Sequence, residues 1–433
     1  MRLVSMKRKE IVLFMTVGTG SNLDSEEIGF KLLAKKLYST INKIYPNHVV
    51  FFASEKSKHT IQYIEELFKQ DNDEFILDED YQIVQIESID DFSTCFEIFE
   101  SKIWEFDIRG IDSKIIMDYT SGTKTMSAAM ACCGLFYSKD LIAVGGDRSL
   151  GEVSAGTELI NYQNLYKIYD KFALMRTRYN FNAKRFMACI DILDYIVDLN
   201  IHKDSFSNLC KSYHAWDNMD FESAYEYLKN VDMNQFEFVE IEDELKRNLK
   251  ALGTIVNSKS ANLKNCYILA SLINNAIGKA EEHRYDDAIA RLYRALELSA
   301  QIRLTSYNIK SSDVDTSILL ENNVSAEFIN ELEKTTEDGK IRIGLVKDYL
   351  LLYELNDDLG KYYVENEKKI KNMTIKRNNS ILAHGLESKS REDFDEFLEV
   401  VIDMARKLDK DMDKFLKETK FVKFDLKLKI NSK

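Results

Sequence analysis

Up to about residue 162, short apolar runs alternate with segments of helical periodicity, and this alternation constrains the fold more than any other property of the chain. Ile11–Val17, His48–Ala53, Tyr81–Ile86, Lys114–Met117 and Leu141–Val144 read as buried strands. Between them, Ser25 to about Tyr45, Lys58–Phe68, Phe92–Trp104 and Thr125–Tyr137 carry helical spacing. Strands separated by helices need crossovers, which are right-handed and place helices on both faces of a parallel sheet. The expectation is a doubly wound, mostly parallel α/β domain over residues 1–162.

Beyond it the pattern is helical almost throughout. The single proline, Pro46, leaves those helices uninterrupted. A break near Asn257–Ser260 divides this half into a helical connector, 163–258, and a last all-α domain, 259–433. Phe181-Asn182-Ala183, Phe221-Glu222-Ser223-Ala224 and Tyr285-Asp286-Asp287-Ala288 look like starts of paired-helix repeats. Their spacings of 40 and 64 residues share no period, so they read as aromatics locking helix hairpins. At the end, Val422 to Ile430 alternates strictly between apolar and polar residues. That predicts a strand in need of a partner, supplied by another copy of the chain.

The net charge of −13 excludes broad coating of nucleic acid, so any RNA contact must be local. Six cysteines show neither a CxxC pair nor a disulfide framework and read as reduced core thiols of a cytoplasmic protein. The histidines have no metal-ligand spacing, so no metal is expected. Neither a secretory signal nor an apolar stretch of about 18 residues is present, so no membrane association is expected.

In an open parallel sheet, ligands settle beyond the carboxyl ends of the strands. Two such ends carry small polar loops: Gly18-Thr19-Gly20-Ser21-Asn22 and Thr120-Ser121-Gly122-Thr123-Lys124. Glycines admit an anion to backbone N–H groups, hydroxyls add donors, and Lys124 brings a charge to a helix N-terminus. A phosphate-bearing ligand fits this pattern. A dinucleotide cofactor does not, because G-x-G-x-x-G would need glycine where Leu23 stands, and G-x-x-x-x-G-K-[ST] is absent. Gly145-Gly146-Asp147-Arg148 is either a third wall or a plain turn.

Near the end of the helical half stands Arg377-Asn378-Asn379-Ser380-Ile381-Leu382-Ala383-His384. Arg377 and His384 are seven residues apart; at about 100° per residue this falls roughly 20° short of two turns and predicts both on one helix face. Imidazole moves protons near neutral pH, and guanidinium forks onto phosphate. Without further context, a surface ion pair or helix-end cap before Gly385 explains them equally well. Lys361, Lys368, Lys369, Lys371 and Lys376 precede the motif, either as guides for RNA phosphates or as a solvated face. Arg291, Arg294 and Glu297 read as a salt-bridge cluster.

The α/β domain, with Asp118-Tyr119-Thr120-Ser121-Gly122-Thr123-Lys124 before an Ala-rich helix, resembles the Rossmann-like CARF sensor domain of CRISPR systems. The last domain is similar to HEPN ribonucleases, whose signature is Arg followed, after four to six residues, by His. Arg284 to Glu297 also resembles a helix of that group. Together they resemble the CARF–HEPN ribonucleases of type III CRISPR defence. The resemblance implies an allosteric activator, cyclic oligoadenylate, on the loops of Gly18, Thr19, Gly20, Ser21 and Asn22 and of Thr120, Ser121, Gly122, Thr123 and Lys124, with no other cofactor. Ser121 departs from the second glycine of many relatives. The resemblance also implies metal-independent cleavage of single-stranded RNA, with Arg377 and His384 from two subunits of a homodimer meeting across its axis. RNA supplies its own 2′-OH nucleophile, so His384 would move protons, Arg377 would stabilise the phosphorane, and Asn378 would bind the phosphate or fix the His tautomer. DNA should be refractory. The competing reading is a ligand-sensing regulator whose helical half binds protein or nucleic acid without cutting it.

Overall fold

The computed structural model describes the chain except residues 1–9, 21–24, 71–80, 109–112, 150–151, 154–156, 158, 164–165, 198–201, 335, 339 and 427–433. Its residues fall into two units, Met1–Lys171 and Phe172–Lys433.

In the first unit the chain runs β1 (Glu10–Val17), α1 (Glu26–Ile44), β2 (His48–Ala53), α2 (Lys58–Gln70), β3 (Tyr81–Gln85), α3 (Phe92–Ile108), β4 (Ser113–Asp118), α4 (Lys124–Phe136) and β5 (Asp140–Gly145). A short hairpin, β6 (Arg148–Ser149) with β7 (Glu152–Val153), precedes β8 (Leu159–Gln163). The six-stranded sheet has the order β3-β2-β1-β4-β5-β8, parallel except for β8, which pairs antiparallel with β5. Strand residues alternate between two cores. Val12, Phe14, Val50, Phe52, Ile115 and Met117 pack with α3 and α4. Leu13, Met15, Val17, Val49, Phe51 and Ala53 pack with α1 and α2. Each buried Phe removes apolar surface worth about 1.5–3 kcal/mol, and burial on both faces explains why these strands read as unbroken apolar runs. The edge strand β8 has no such run: Leu159 and Tyr162 are exposed, so periodicity did not reveal it.

The second unit is helical: α5 (Tyr166–Asn182), whose residues up to Lys171 count with the first unit, α6 (Phe186–Asp194), α7 (Lys203–Asp217), α8 (Phe221–Lys229), α9 (Glu242–Asn257), α10 (Ala261–Glu281), α11 (Tyr285–Ser306), α12 (Thr316–Glu321), α13 (Ala326–Glu333), α14 (Leu345–Glu354), α15 (Asp358–Glu365), α16 (Glu367–Asn378), α17 (Arg391–Leu408) and α18 (Met412–Glu418). A two-stranded ribbon, β9 (Thr336–Glu337) with β10 (Lys340–Ile341), interrupts them. One continuous hydrophobic core reaches from Ala173 to Phe424. Lys184, Met219 and His283, with φ near +60°, turn the chain between α5 and α6, α7 and α8, and α10 and α11. The aromatics that follow two residues later, Phe186, Phe221 and Tyr285, pack into or against the core and lock these hairpins.

Two expectations are corrected. Residues 422–426 form no strand, and 427–430 lie outside the described residues. The alternation is real, since Val422 and Phe424 are buried, but the partner is a side chain: Asn182 Nδ2 donates to the Phe424 carbonyl and the Phe424 N–H donates to Asn182 Oδ1, each at 2.8 Å. The carboxamide thus offers the donor and acceptor that a neighbouring strand would. Among the cysteines, Cys132 is exposed while the other five are buried, and all six are free. Burial pushes the Cys133 thiol up to about 12, which leaves it inert.

Candidate functional site

Strand order reverses between β1 and β4, because β2 and β3 lie to one side and β5 to the other. A crevice therefore opens beyond their carboxyl ends, and both glycine loops sit there. They touch. The Gly18 N–H donates to Ser121 Oγ at 2.9 Å, and Thr16 Oγ1 donates to the Ser121 carbonyl. A Cβ on Gly18 would lie 3.0 Å from the Gly122 nitrogen, a backbone atom, so any larger residue would press the two loops apart. Gly122 has φ +92°, a conformation that favours glycine. From α2, Thr60 Oγ1 donates to the Gly18 carbonyl at 2.9 Å. Ser21 and Asn22 lie outside the described residues.

The hydroxyls expected as anion donors already hold the loop. Thr123 caps α4, accepting from the Met126 N–H at 3.2 Å and donating to the Ile89 carbonyl at 2.9 Å. Thr120 Oγ1 donates to Asp118 Oδ1 and accepts from the Val144 N–H at 2.8 Å. What remains for an anion is backbone: the N–H groups of Lys124 and Thr125 open α4 without acceptors among the described residues, beside the exposed Lys124 side chain. Gly145 ends β5, and Gly146-Asp147 link it to β6, with the Asp147 N–H donating to Thr157 Oγ1 at 3.1 Å.

Sequence reading gave Asp118 no role, yet it anchors the crevice. Its Oδ1 accepts from the Thr120 N–H at 2.9 Å, while its buried Oδ2 has no partner. Burial raises its pKa from 3.8 to about 6, against the lowering effect of the Thr120 bonds. Because the folded-state value is the higher one, the native fold binds this proton more tightly than the unfolded chain, and stability falls as pH rises from about 4 through about 6. Above that window the ionised carboxylate costs about 3 kcal/mol. Asp118→Asn is expected to be more stable than wild type by about 1–3 kcal/mol at pH 8, with the gap closing toward pH 4. Denaturation midpoints measured across this range check it; a gap independent of pH refutes it.

In the second unit, the helix carrying Arg377 ends sooner than the spacing predicted. α16 stops at Asn378, residues 379 and 381–384 form turns, and His384 is not on a helix. Asn378-Asn379-Ser380 explains the stop, since short polar side chains compete for backbone groups and disfavour helix interiors. Ser380 is buried, and its carbonyl accepts the N–H groups of Ala383 (3.0 Å) and Gly385 (3.2 Å). A Cβ on Gly385 would lie 2.0 Å from the Asn379 carbonyl oxygen, so glycine is required there. The turn still folds His384 back onto the helix end, where its N–H donates to the carbonyl of Asn378, the neighbour of Arg377, at 3.0 Å. His384 is exposed, and Arg377 and Asn378 are half-buried. Asn378 Oδ1 accepts from Arg377 Nη1 at 3.1 Å. The loop is tied to the start of α11 by the Lys389 N–H, which donates to Asp286 Oδ2 at 3.3 Å.

The preceding lysines do not form a free basic track. Lys361, Lys369, Lys371 and Lys376 pair with Asp358, Glu399, Glu367 and Asp393, so the solvated-face reading holds for them. Arg294 pairs with Glu297 at 3.1 Å, as the salt-bridge reading expected, while Arg291 pairs outside that cluster, with Asp287 at 3.0 Å. Sequence reasoning missed Tyr293, whose ring lies under the Arg377 guanidinium. Among the described residues no cluster of three or more His, Cys, Asp or Glu is poised to hold a metal, and no helix is long and apolar enough to cross a membrane.

A Csm6 6H domain model matches residues 169–259, and a Csm6 HEPN domain model matches residues 257–408. Among solved structures, Enterococcus italicus Csm6 bound to cyclic hexa-2'-fluoro-hexa-dAMP is similar with a TM-score of 0.59 at 14% identity, over 95% of this chain and 99% of that one. At that identity the likeness speaks for the fold. No curated protein matches the sequence significantly. The two Csm6 models stand in succession over residues 169–408, behind a doubly wound α/β unit in a chain that shares its fold with Csm6 from end to end, and the protein accordingly belongs to the CRISPR-associated CARF–HEPN family.

Proposed function

We propose that this protein is a cytoplasmic, cyclic-oligoadenylate-activated, metal-independent endoribonuclease that cleaves single-stranded RNA in type III CRISPR defence and acts as a homodimer. Its parts are a sensor (1–162), a helical connector (163–258) and a nuclease domain (259–433). The observation that carries the reading is Arg377, a guanidinium paired with no carboxylate among the described residues, one short turn before the exposed His384 inside the HEPN-matching region. A paired arginine would have to shed its partner before gripping a phosphate. Around the pair, Ile375, Ile381, Leu382 and Leu386 expose large apolar side chains, Leu386 to 90%. Such a patch supports a second copy docking there and setting two Arg/His pairs into one groove.

In this reading His384 takes the 2′-OH proton and protonates the leaving 5′-oxygen, Arg377 stabilises the phosphorane, and Asn378 fixes the Arg377 fork. The products are a 2′,3′-cyclic phosphate and a 5′-hydroxyl. In the sensor, Gly18, Thr19, Gly20, Ser21 and Asn22 with Thr120, Ser121, Gly122, Thr123 and Lys124 form the activator site, the last loop offering the open N-terminus of α4. The ligand of the Enterococcus italicus neighbour supports a cyclic oligoadenylate as the guest.

The test is cleavage of matched RNA and DNA in EDTA, with and without cyclic tetra- or hexa-adenylate. RNA is expected to be cut only when one ring is present, at a rate unaffected by chelator, with DNA intact. Activator binding without RNA cleavage would refute the nuclease reading in favour of a non-cutting regulator.

A further inference from the structure

A cation can be held in place by a carboxylate, which cancels its charge, or by neutral groups, which leave the charge available. Arg377 is held in the second way. Its Cζ lies 4.5 Å from the ring centroid of Tyr293, and its Nη1 donates to Asn378 Oδ1 at 3.1 Å. Its Nε is buried without an acceptor, so the ring face is what backs the inner part of the guanidinium. Tyr293 is well placed for this task. Its helix, α11, is fixed in the core through Ala288, Leu292, Ala295 and Leu296. The acidic group one turn along, Glu297, is engaged by Arg294 at 3.1 Å, and Arg294 also donates to Gln301 Oε1 at 3.1 Å. Glu297, which also takes a hydrogen bond from the Tyr293 hydroxyl at the ring edge, is thereby engaged by a guanidinium other than Arg377. Burial, reinforced by Glu297, raises the Tyr293 pKa, so the phenol stays neutral and its π face stays intact.

We propose that Tyr293 is a positioning residue of the nuclease site, its ring face setting the plane of the Arg377 guanidinium while leaving the full positive charge for the scissile phosphate. The proposal rests on the ribonuclease reading above. It predicts a role for the ring and none for the hydroxyl. In the full chain saturated with activator, Tyr293→Phe is expected to keep kcat on single-stranded RNA within about twofold, whereas Tyr293→Leu loses roughly 10- to 100-fold in kcat with KM nearly unchanged. Both variants should keep the wild-type Tm and pH profile. Wild-type kcat in Tyr293→Leu, or an equal loss in Tyr293→Phe, overturns the proposal. A second readout needs no activity: in ¹⁵N-arginine-labelled protein, the Arg377 Nε–H resonance, assigned by its selective loss in folded Arg377→Lys, is expected to be displaced by the ring current. An undisplaced resonance in the wild type overturns the placement. If the wild type cuts no RNA yet the resonance is displaced, the ribonuclease reading fails and the placement stands.

Discussion

Replacing His384 by alanine is expected to slow RNA cleavage by roughly 10²- to 10⁴-fold, the usual worth of a positioned general acid or base. The loss should fall on kcat. KM should change little, because the imidazole moves protons and does not hold the phosphate, and activator affinity should be untouched. Folding should survive, since the imidazole is exposed and the turn that carries it is built from backbone bonds of Asn378, Asn379 and Ser380. Single-turnover cleavage of a labelled RNA, alongside the unfolding midpoint, checks this. A variant that still cuts at the wild-type rate sinks the assignment.

The second large effect is expected at the crevice. In Gly18→Val the new Cβ would lie 3.0 Å from the Gly122 nitrogen and 3.3 Å from its Cα, both backbone atoms that cannot swing aside. The loop carrying Gly122 and Lys124 must then move away from β1, and the paired anion cradle opens. Couplings of this kind are typically worth about 5- to 150-fold, and that stimulation should vanish. Titrating cyclic oligoadenylate against RNA cleavage should give a flat line. Overpacking also costs about 1–3 kcal/mol, so circular dichroism must first establish that the sheet persists. Undiminished stimulation would place the activator elsewhere.

Much of this was legible before any coordinates. β1, β2 and β4 are buried on both faces and so appear as apolar runs, and the loops at their ends follow from topology once the sheet is parallel. The failures have physical causes too. Edge strand β8 is too exposed to announce itself. Helical spacing between Arg377 and His384 says nothing of a turn fixed by a buried Ser380 and a glycine pressed against a carbonyl. Hydroxyls at Thr120 and Thr123 looked available because composition does not reveal that Asp118 and Ile89 already engage them. Tyr293 was invisible because its contact with Arg377 crosses from one helix to another.

The unbroken core of residues 173–424 has a mechanical consequence. Polar ties also span the connector and the nuclease helices: Lys279 Nζ meets Asp217 at 2.6 Å, and Asn248 Nδ2 reaches the carbonyls of Glu418 (2.8 Å) and Lys420 (3.0 Å). Bending between these parts would tear close-packed side chains, so they must swing together as a stiff lever. The 22-residue α11 alone is about 33 Å long, and a tilt of roughly 5° moves its far end by about 3 Å. A misplacement of about 1 Å already costs on the order of 10²-fold in rate. In the proposed homodimer, a few degrees of tilt in this body would therefore be enough to align or spoil the groove of two arginines and two histidines.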